Sequence, residues 1–390
     1  MTNMCRAAIL TLALAAFGSL AAQAQNNTAY GEGALASDTT GAYNAAFGYQ
    51  ALHLNTTGFH NTAAGPLALF ANTTGSYNAA FGEYALSANA SGHDNAACGA
   101  SALFANTTGY YNTASGAAAL YSNATGYANT ASGIQALYSN TTGNYNTASG
   151  GFALLDNTAG SANTSSGYEA LYSNTVGYDN MASGAYALRA NTTGTANTAS
   201  GYFALYSNTT GNYNTAVGAW AGYYNNGGSW NIDIGSYGSA SDNGVIRIGQ
   251  SGNQSSVYVA GVSGVAISGP VPVYINSNGQ LGTVNSSIRF KEDVHDMADA
   301  SSGLLRLRPV TYRYKEPYAD GSKPIDYGLV AEEVAEVYPD MVVKDSDGQV
   351  QTVQYQKLTP MLLNELQKQE QTIRRLEKRL AALEAALPKQ

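Results

Sequence analysis

Thr73-Thr74-Gly75-Ser76-Tyr77-Asn78-Ala79-Ala80-Phe81-Gly82-Glu83-Tyr84-Ala85-Leu86-Ser87-Ala88-Asn89 is one copy of a 17-residue unit that recurs eleven times, without insertion or slip, between Thr39 and Asn225. A fixed period of this length signals a solenoid or stacked array, not a globular enzyme domain. Glycine holds the third and tenth positions of every copy, as in Gly58 and Gly65 or Gly143 and Gly150. Such glycines suit either a turn with positive φ or a backbone pressed against its neighbour. Asparagine recurs at the sixth and last positions, as in Asn112 and Asn123. In a stack of coils these side chains form amide ladders along the axis. Ala-Leu pairs such as Ala119-Leu120 and Ala136-Leu137 mark an inward apolar stripe. The stripe is thin, because one leucine and a few alanines per coil bury little area at about 25 cal/mol/Å². Three chains packed around an axis would bury more.

On the N-terminal side, residues 1–24 read as a secretory signal. Arg6 supplies the positive charge, Ala7 to Ala16 the apolar stretch, and Ala22-Gln23-Ala24 the small-x-small cleavage site. The shaft then runs over 25–225. Cys5 leaves with the signal, so the mature chain keeps Cys98 alone and forms no internal disulfide. Cys98 shares its repeat slot with Phe47, Phe81, Ser115 and Val217, which reads as a small packed thiol. Beyond Asn225 the period decays. Val245-Ile246-Arg247-Ile248, Ser256-Val257-Tyr258-Val259 and Val271-Pro272-Val273-Tyr274-Ile275 read as strands of a β-rich neck over 226–285.

The charge is just as uneven. After Arg6 only Arg189 and Arg247 precede Arg289, while fifteen of the 18 Lys and Arg residues lie from Arg289 onward. A nearly uncharged shaft therefore gives way to a charged C-terminal module. The net charge of −8 argues against a nucleic-acid partner, which would need a basic face. Carboxylates of the shaft (Glu83, Asp94, Asp156, Glu169, Asp179) occupy mostly different repeat positions, so no pair stacks in the register a glycosidase needs. His53, His60 and His93 share no slot either, which leaves no metal site to expect. No cofactor motif is present. Recurring aromatics such as Tyr121, Tyr138, Tyr172 and Tyr206 cover the edges of neighbouring coils, or else form a stripe for a glycan or cell-surface ligand.

The composition changes at Ser286-Ser287-Ile288-Arg289-Phe290-Lys291-Glu292-Asp293, and further marks follow in Leu307-Arg308-Pro309-Val310-Thr311-Tyr312-Arg313-Tyr314 and Tyr327-Gly328-Leu329-Val330-Ala331-Glu332-Glu333-Val334. Together they resemble the C-terminal intramolecular chaperone and self-cleaving peptidase domain of phage tail spikes and endosialidases, found also in myelin regulatory factor. The resemblance covers roughly Ser286 to Leu366. Its hallmark is Ser-Asp-x-Arg-x-Lys, which falls here on Ser286, Arg289 and Lys291. The resemblance implies that Ser286 is the nucleophile and Lys291 its base. Ser287 stands in the Asp slot, a departure from the hallmark that makes Ser287 a rival nucleophile. The chemistry is coherent on its own terms, since a Ser hydroxyl needs a nearby base and a Lys serves as one only when desolvated. The shaft repeats, in turn, resemble the heads of trimeric autotransporter adhesins, which are left-handed β-rolls; those heads commonly use shorter repeats, and the membrane barrel of that family is missing here.

The remaining pattern predicts a helix from Glu292 to Leu305, a strand from Val310 to Tyr314, and a hairpin of Val342-Val343-Lys344 with Val350-Gln351-Thr352-Val353. Finally Leu366, Ile373, Leu380 and Leu387 at a, with Leu362, Gln369, Leu376 and Leu383 at d, set out a coiled coil. The expected architecture is mainly β: a parallel β-solenoid or β-roll shaft, a β neck, an α+β chaperone domain over 286–360 and a trimeric coiled coil over 361–388. The expected function is an exported, adhesin-like homotrimeric fibre whose C-terminal module templates assembly and cuts itself off in a single turnover. Its place is extracellular or on the cell surface, with the periplasm as the alternative, and no integral membrane segment remains after signal removal. Alternatives are a permanent trimerisation base without cleavage, an ice- or glycan-binding solenoid, and a glycan-degrading tail spike, which the unpaired carboxylates disfavour.

Overall fold

The structure is a computed structural model that describes residues 26–386, except 255, 261, 263–267, 269–270, 277, 319–320 and 346. The signal read over 1–24 and the heptad position Leu387 lie outside the described residues. The chain divides into two compact units, Met1–Ala260 and Gly261–Gln390.

The first unit is a parallel β-solenoid. Fourteen strands, β1 (Thr28–Tyr30), β2 (Ala45–Phe47) and onward at the repeat interval to β13 (Ile232–Ile234) and then β14 (Ile246–Ile248), pair in chain order in a single sheet. Register is constant: Ala45 faces Thr62, Thr62 faces Ala79, and so on to Thr215 opposite Ile232. From β2 to β13 each strand turns its middle residue inward, as at Ala46, Ala63, Ala199 and Ala216, whereas β1 and β14 are exposed throughout. Alternation therefore puts the third residue outside, and Cys98 is exposed there rather than packed. The sheet continues through β13 and β14 into the stretch read as a neck. Of the other two strands expected there, Ser256–Val259 forms none, and the last is cut to β15 (Tyr274–Ile275), which pairs antiparallel with β16 (Leu281–Gly282) in the second unit.

The Ala-Leu pair is fully buried in one coil after another, from Ala51-Leu52 to Ala204-Leu205. Two amide ladders flank this apolar stripe. At the sixth position Asn112 donates through its backbone N and its Nδ2 to Asn95 Oδ1, at 3.1 Å each, and Nδ2 also reaches the Gly126 carbonyl at 2.8 Å. At the last position Asn123 Nδ2 donates to Asn106 Oδ1 at 2.8 Å and to the same Gly126 carbonyl at 2.9 Å. One glycine carbonyl thus collects both ladders. Each such coil buries two amides beside three apolar residues, for example Asn112 and Asn123 beside Ala114, Ala119 and Leu120, and along most of the shaft the amides are paired, which is the condition for burying them.

The corners of the coil explain the two glycines differently. At the tenth position Gly116 has φ 138°, and a Cβ there would sit 2.4 Å from the Gly133 carbonyl oxygen. The third-position Gly109 has no such φ; an added Cβ would meet Asn106 Oδ1 at 2.3 Å and the Gly126 oxygen at 2.4 Å. Positive φ also falls on residues other than glycine: Tyr111 (φ 56°), Ala118 (φ 53°) and the buried Leu120 (φ 52°) in one coil, and their counterparts in the others. Each such residue costs on the order of 1–3 kcal/mol and persists only where packing over-determines it.

In the second unit, β17 (Val310–Tyr312) pairs antiparallel with β18 (Asp326–Gly328), helix α1 (Ala331–Val337) follows, and β19 (Val342–Lys344) forms a hairpin with β20 (Val350–Val353). Val334, Met341, Val342 and Val353 make its small core. The helix expected over Glu292–Leu305 is replaced by irregular chain and a 3₁₀ helix, Ala298–Arg306. Asp293 and Ala298 take left-handed backbone, and a run rich in Asp, Ser and Gly has little helical preference to oppose it. The last element, α2 (Leu358–Ala386), is a 29-residue helix with no buried residue. Among the described residues no helix is long and apolar enough to cross a membrane.

Candidate functional site

Ser287 is extended (φ −67°, ψ 142°) and opens a 3₁₀ turn, Ile288–Phe290. Phe290 N donates to the Ser287 carbonyl and Lys291 N to the Ile288 carbonyl, both at 3.0 Å. Lys291 then returns to extended backbone. This tight turn folds a five-residue separation back on itself, so that Lys291 Nζ lies 3.3 Å from Ser286 Oγ and donates to it. Both side chains face solvent. The Ser287 side chain makes no capping bond to the turn. The Arg289 guanidinium stacks 5.0 Å over the ring of Phe290, itself largely exposed, and so points along the turn instead of toward the Ser286 hydroxyl. The turn brings Ser286 and Lys291 together and leaves Ser287 and Arg289 beside them.

The other two segments of the module pack as neighbours. Arg308, ahead of β17, pairs with Glu333 of α1, and the Glu333 contact raises the guanidinium's pKa above its ordinary value. Tyr312 shares its hydroxyl with Tyr314 at 3.3 Å; that bond first, and lost hydration second, push its phenol upward. Leu329 N donates to Tyr355 OH at 3.0 Å. Leu329 and Tyr355 also line a groove of about 950 Å³, together with Leu304, Leu307, Val310, Leu362 and Leu366.

One cluster escaped the sequence reading. Ser301, fully buried, donates to Glu365 Oε1 at 2.5 Å; Asn364 Nδ2 reaches Ser301 Oγ at 2.5 Å and the Ala298 carbonyl at 2.8 Å. Lys368 closes it at 2.9 Å from Glu365, whose carboxyl is held below its usual range by Ser301 first and Lys368 second. The partners are more than sixty residues apart, and no motif announces them. This latch fixes the start of α2 to the 3₁₀ helix. Farther along, Leu366, Ile373, Leu376, Leu380 and Leu383 are each more than half exposed.

On the shaft the aromatics do stack in files, Phe104 on Tyr121 at 5.0 Å and Tyr121 on Tyr138 at 4.9 Å. Arg189 pairs with Glu169 at 2.6 Å and lies 5.0 Å over Tyr172. Among the described residues no group of three or more His, Cys, Asp or Glu side chains could hold a metal ion.

Residues 286–343 match the family described as chaperone of endosialidase, so the segment that carries Ser286, Lys291, β17, β18 and α1 is similar to an intramolecular chaperone domain. No curated protein and no solved structure matches the chain.

Proposed function

We propose that the chain is an exported, adhesin-like homotrimeric fibre whose C-terminal module templates assembly and then severs itself, with Ser286 as nucleophile and Lys291 as base. A chaperone-type module behind a β-solenoid fits a trimeric fibre protein. The observation that carries the finer reading is the 3.3 Å approach of Lys291 Nζ to Ser286 Oγ inside the matched segment. Neutral Lys291 takes the hydroxyl proton, and Ser286 Oγ bonds to the adjacent backbone carbonyl carbon. The C–N bond breaks as its nitrogen recovers that proton from Lys291. Water then hydrolyses the ester, releasing Ser286 to Gln390; the same steps on Ser287 would release Ser287 to Gln390.

In one chain both side chains are solvated, and a lysine amine acts as a base only where burial disfavours its charge. Closure of three chains over residues 286–291 would supply that burial and tie cutting to completed assembly. The coiled coil of α2 would hold the chains in common register before the non-local pairing of the solenoid begins. The half-buried aromatic files on the shaft are the surface offered to a glycan or cell-surface ligand.

The second reading, a permanent trimerisation base, is favoured by Ser287 standing where the family hallmark has Asp. Intact mass of residues 25–390 tests the two. The expected result is a native chain split near Ser286, with Ser286→Ala and Lys291→Ala whole. Loss of cleavage in Ser287→Ala alone moves the nucleophile by one residue. A native chain that forms trimers and stays whole removes the peptidase and leaves the base.

A further inference from the structure

The amide ladder at the last repeat position has an open end. Asn191 Nδ2 donates to Asn174 Oδ1 at 2.8 Å, and Asn208 Nδ2 to Asn191 Oδ1 at 3.0 Å. The next amide, Asn225, sends its Nδ2 elsewhere, to Asp233 Oδ2 at 2.7 Å. Asp233 sits at the centre of β13, in register with Ala216, where the strands below hold Ala or Ser in the core. Among the described residues, three buried side-chain atoms lack a hydrogen-bond partner: Asn208 Oδ1, Asn225 Oδ1 and Asp233 Oδ1. All three are acceptors, on side chains at most 1 % exposed. What this end of the ladder lacks is a donor.

The charged groups around Asp233 do not supply one. Arg247, its partner in β14, turns to Asp242 and holds both of that carboxylate's oxygens at 2.6 Å. Burial, and then the Asp242 charge, push the Asp233 carboxyl above its ordinary value, against the pull of Asn225 and Arg247. An unpaired carboxylate ion there would be costly, and a buried acid takes up a proton instead.

We propose that Asp233 binds a proton from solvent in the folded shaft, and that the resulting O–H closes the open end of the ladder. With the Asn225 amide turned over, its Oδ1 accepts from the acid and its Nδ2 returns to Asn208 Oδ1. One proton and one rotation then give donors to the Asn208 and Asn225 oxygens, and they leave Asp233 Oδ1 as the oxygen of a neutral acid instead of a bare carboxylate. The sign follows from linkage: a carboxyl whose folded pKa is raised adds stability below its unfolded value, and that stability is lost as pH rises through the folded value. The end of the shaft therefore loosens as its surroundings turn from acid to neutral.

The chain's two tryptophans, Trp220 and Trp230, lie either side of Asn225 and just ahead of Asp233, so their fluorescence follows this region while the C-terminal module, which has none, stays silent. Thermal unfolding is compared between the full chain and Asp233→Asn from about pH 4 to about pH 8, with Ser286→Ala in every sample to fix chain length. The amide imitates the protonated acid at every pH. The expected result is a wild-type midpoint that falls as pH rises and a flatter Asp233→Asn profile, higher at neutral pH by about 2–4 °C. Parallel profiles, or an Asp233→Asn midpoint below wild type at neutral pH, overturn the proposal, because the carboxylate ion is then the held form. A wild-type midpoint raised by added calcium, with Asp233→Asn unresponsive, also overturns it in favour of a cation on the same oxygens. Should Asp233→Asn fail to fold, infrared spectroscopy of the wild type decides. A carboxylic-acid carbonyl band persisting above the ordinary aspartate range supports the proton, and its absence removes it.

Discussion

The shaft finishes its business within one chain, and the last helix does not. Leu120 and Leu137 have no exposed surface, and the amides beside them find partners one coil away. Leu366, Ile373, Leu376 and Leu380 carry an equally regular pattern and stand in solvent. A repeat of 17 residues returns the chain to its own neighbour; a heptad on a single helix has no neighbour in its own chain to return to. The 17-residue period thus gives the shaft its stability, and in the proposed trimer the heptad is the part left for assembly. The stripe that reads as thin in the sequence is supplemented by two ladders of buried hydrogen bonds, each worth about 0.5–1.5 kcal/mol net.

The contrast breaks most readily at a glycine. In Gly133→Ala the new Cβ would lie 2.5 Å from the Gly150 carbonyl oxygen on a backbone of φ 138°, so neither the coil nor its neighbour keeps its place. We expect a loss above about 4 kcal/mol, among the exceptional values for one substitution, read by urea unfolding followed at Trp220 and Trp230. A paired substitution sharpens the comparison. Leu137→Ala removes a fully buried side chain and costs the shaft about 2–5 kcal/mol. Leu376→Ala, on an exposed face of α2, leaves the unfolding midpoint of the second unit unchanged and lowers the trimer fraction in sedimentation velocity. Equal losses of fold stability at the two leucines would erase the distinction. The smallest effect is electrostatic. Arg247 holds the buried Asp242 carboxyl below its ordinary value, so that stability is present above the unfolded pKa and lost as pH falls through the folded one. Arg247→Gln should cost about 1–2 kcal/mol at neutral pH, with the gap to wild type closing in acid; a gap constant with pH would assign Arg247 a packing role.

Much of the shaft was legible because identical residues must stack in a solenoid, so Asn106 and Asn123 declare their ladder by spacing alone. The left-handed corners were not, because nothing about Leu120, Tyr111 or Ala118 marks a residue that will take positive φ. The glycines meanwhile divided their reasons, curvature at Gly116 and contact at Gly109. The exposed Cys98 followed from strand parity, which three-residue strands set and the repeat slot alone does not. In the C-terminal module the Ser286–Lys291 approach was readable because the pair is local. The latch of Ser301 on Glu365 was not, since only the tertiary fold brings the 3₁₀ helix beneath α2. Asp233 lay in plain sight as a lone acid, yet only the register opposite Ala216 reveals that it occupies a core slot.

One feature of the coil bears on inheritance. Because the Gly126 carbonyl collects amides from both Asn112 and Asn123, a coil one residue longer or shorter would put both ladders out of step at once. A whole coil gained or lost leaves every remaining bond as it was. Length in such a protein can drift only in integer steps, so duplication and deletion of complete repeats is the mutational currency in which its reach is adjusted.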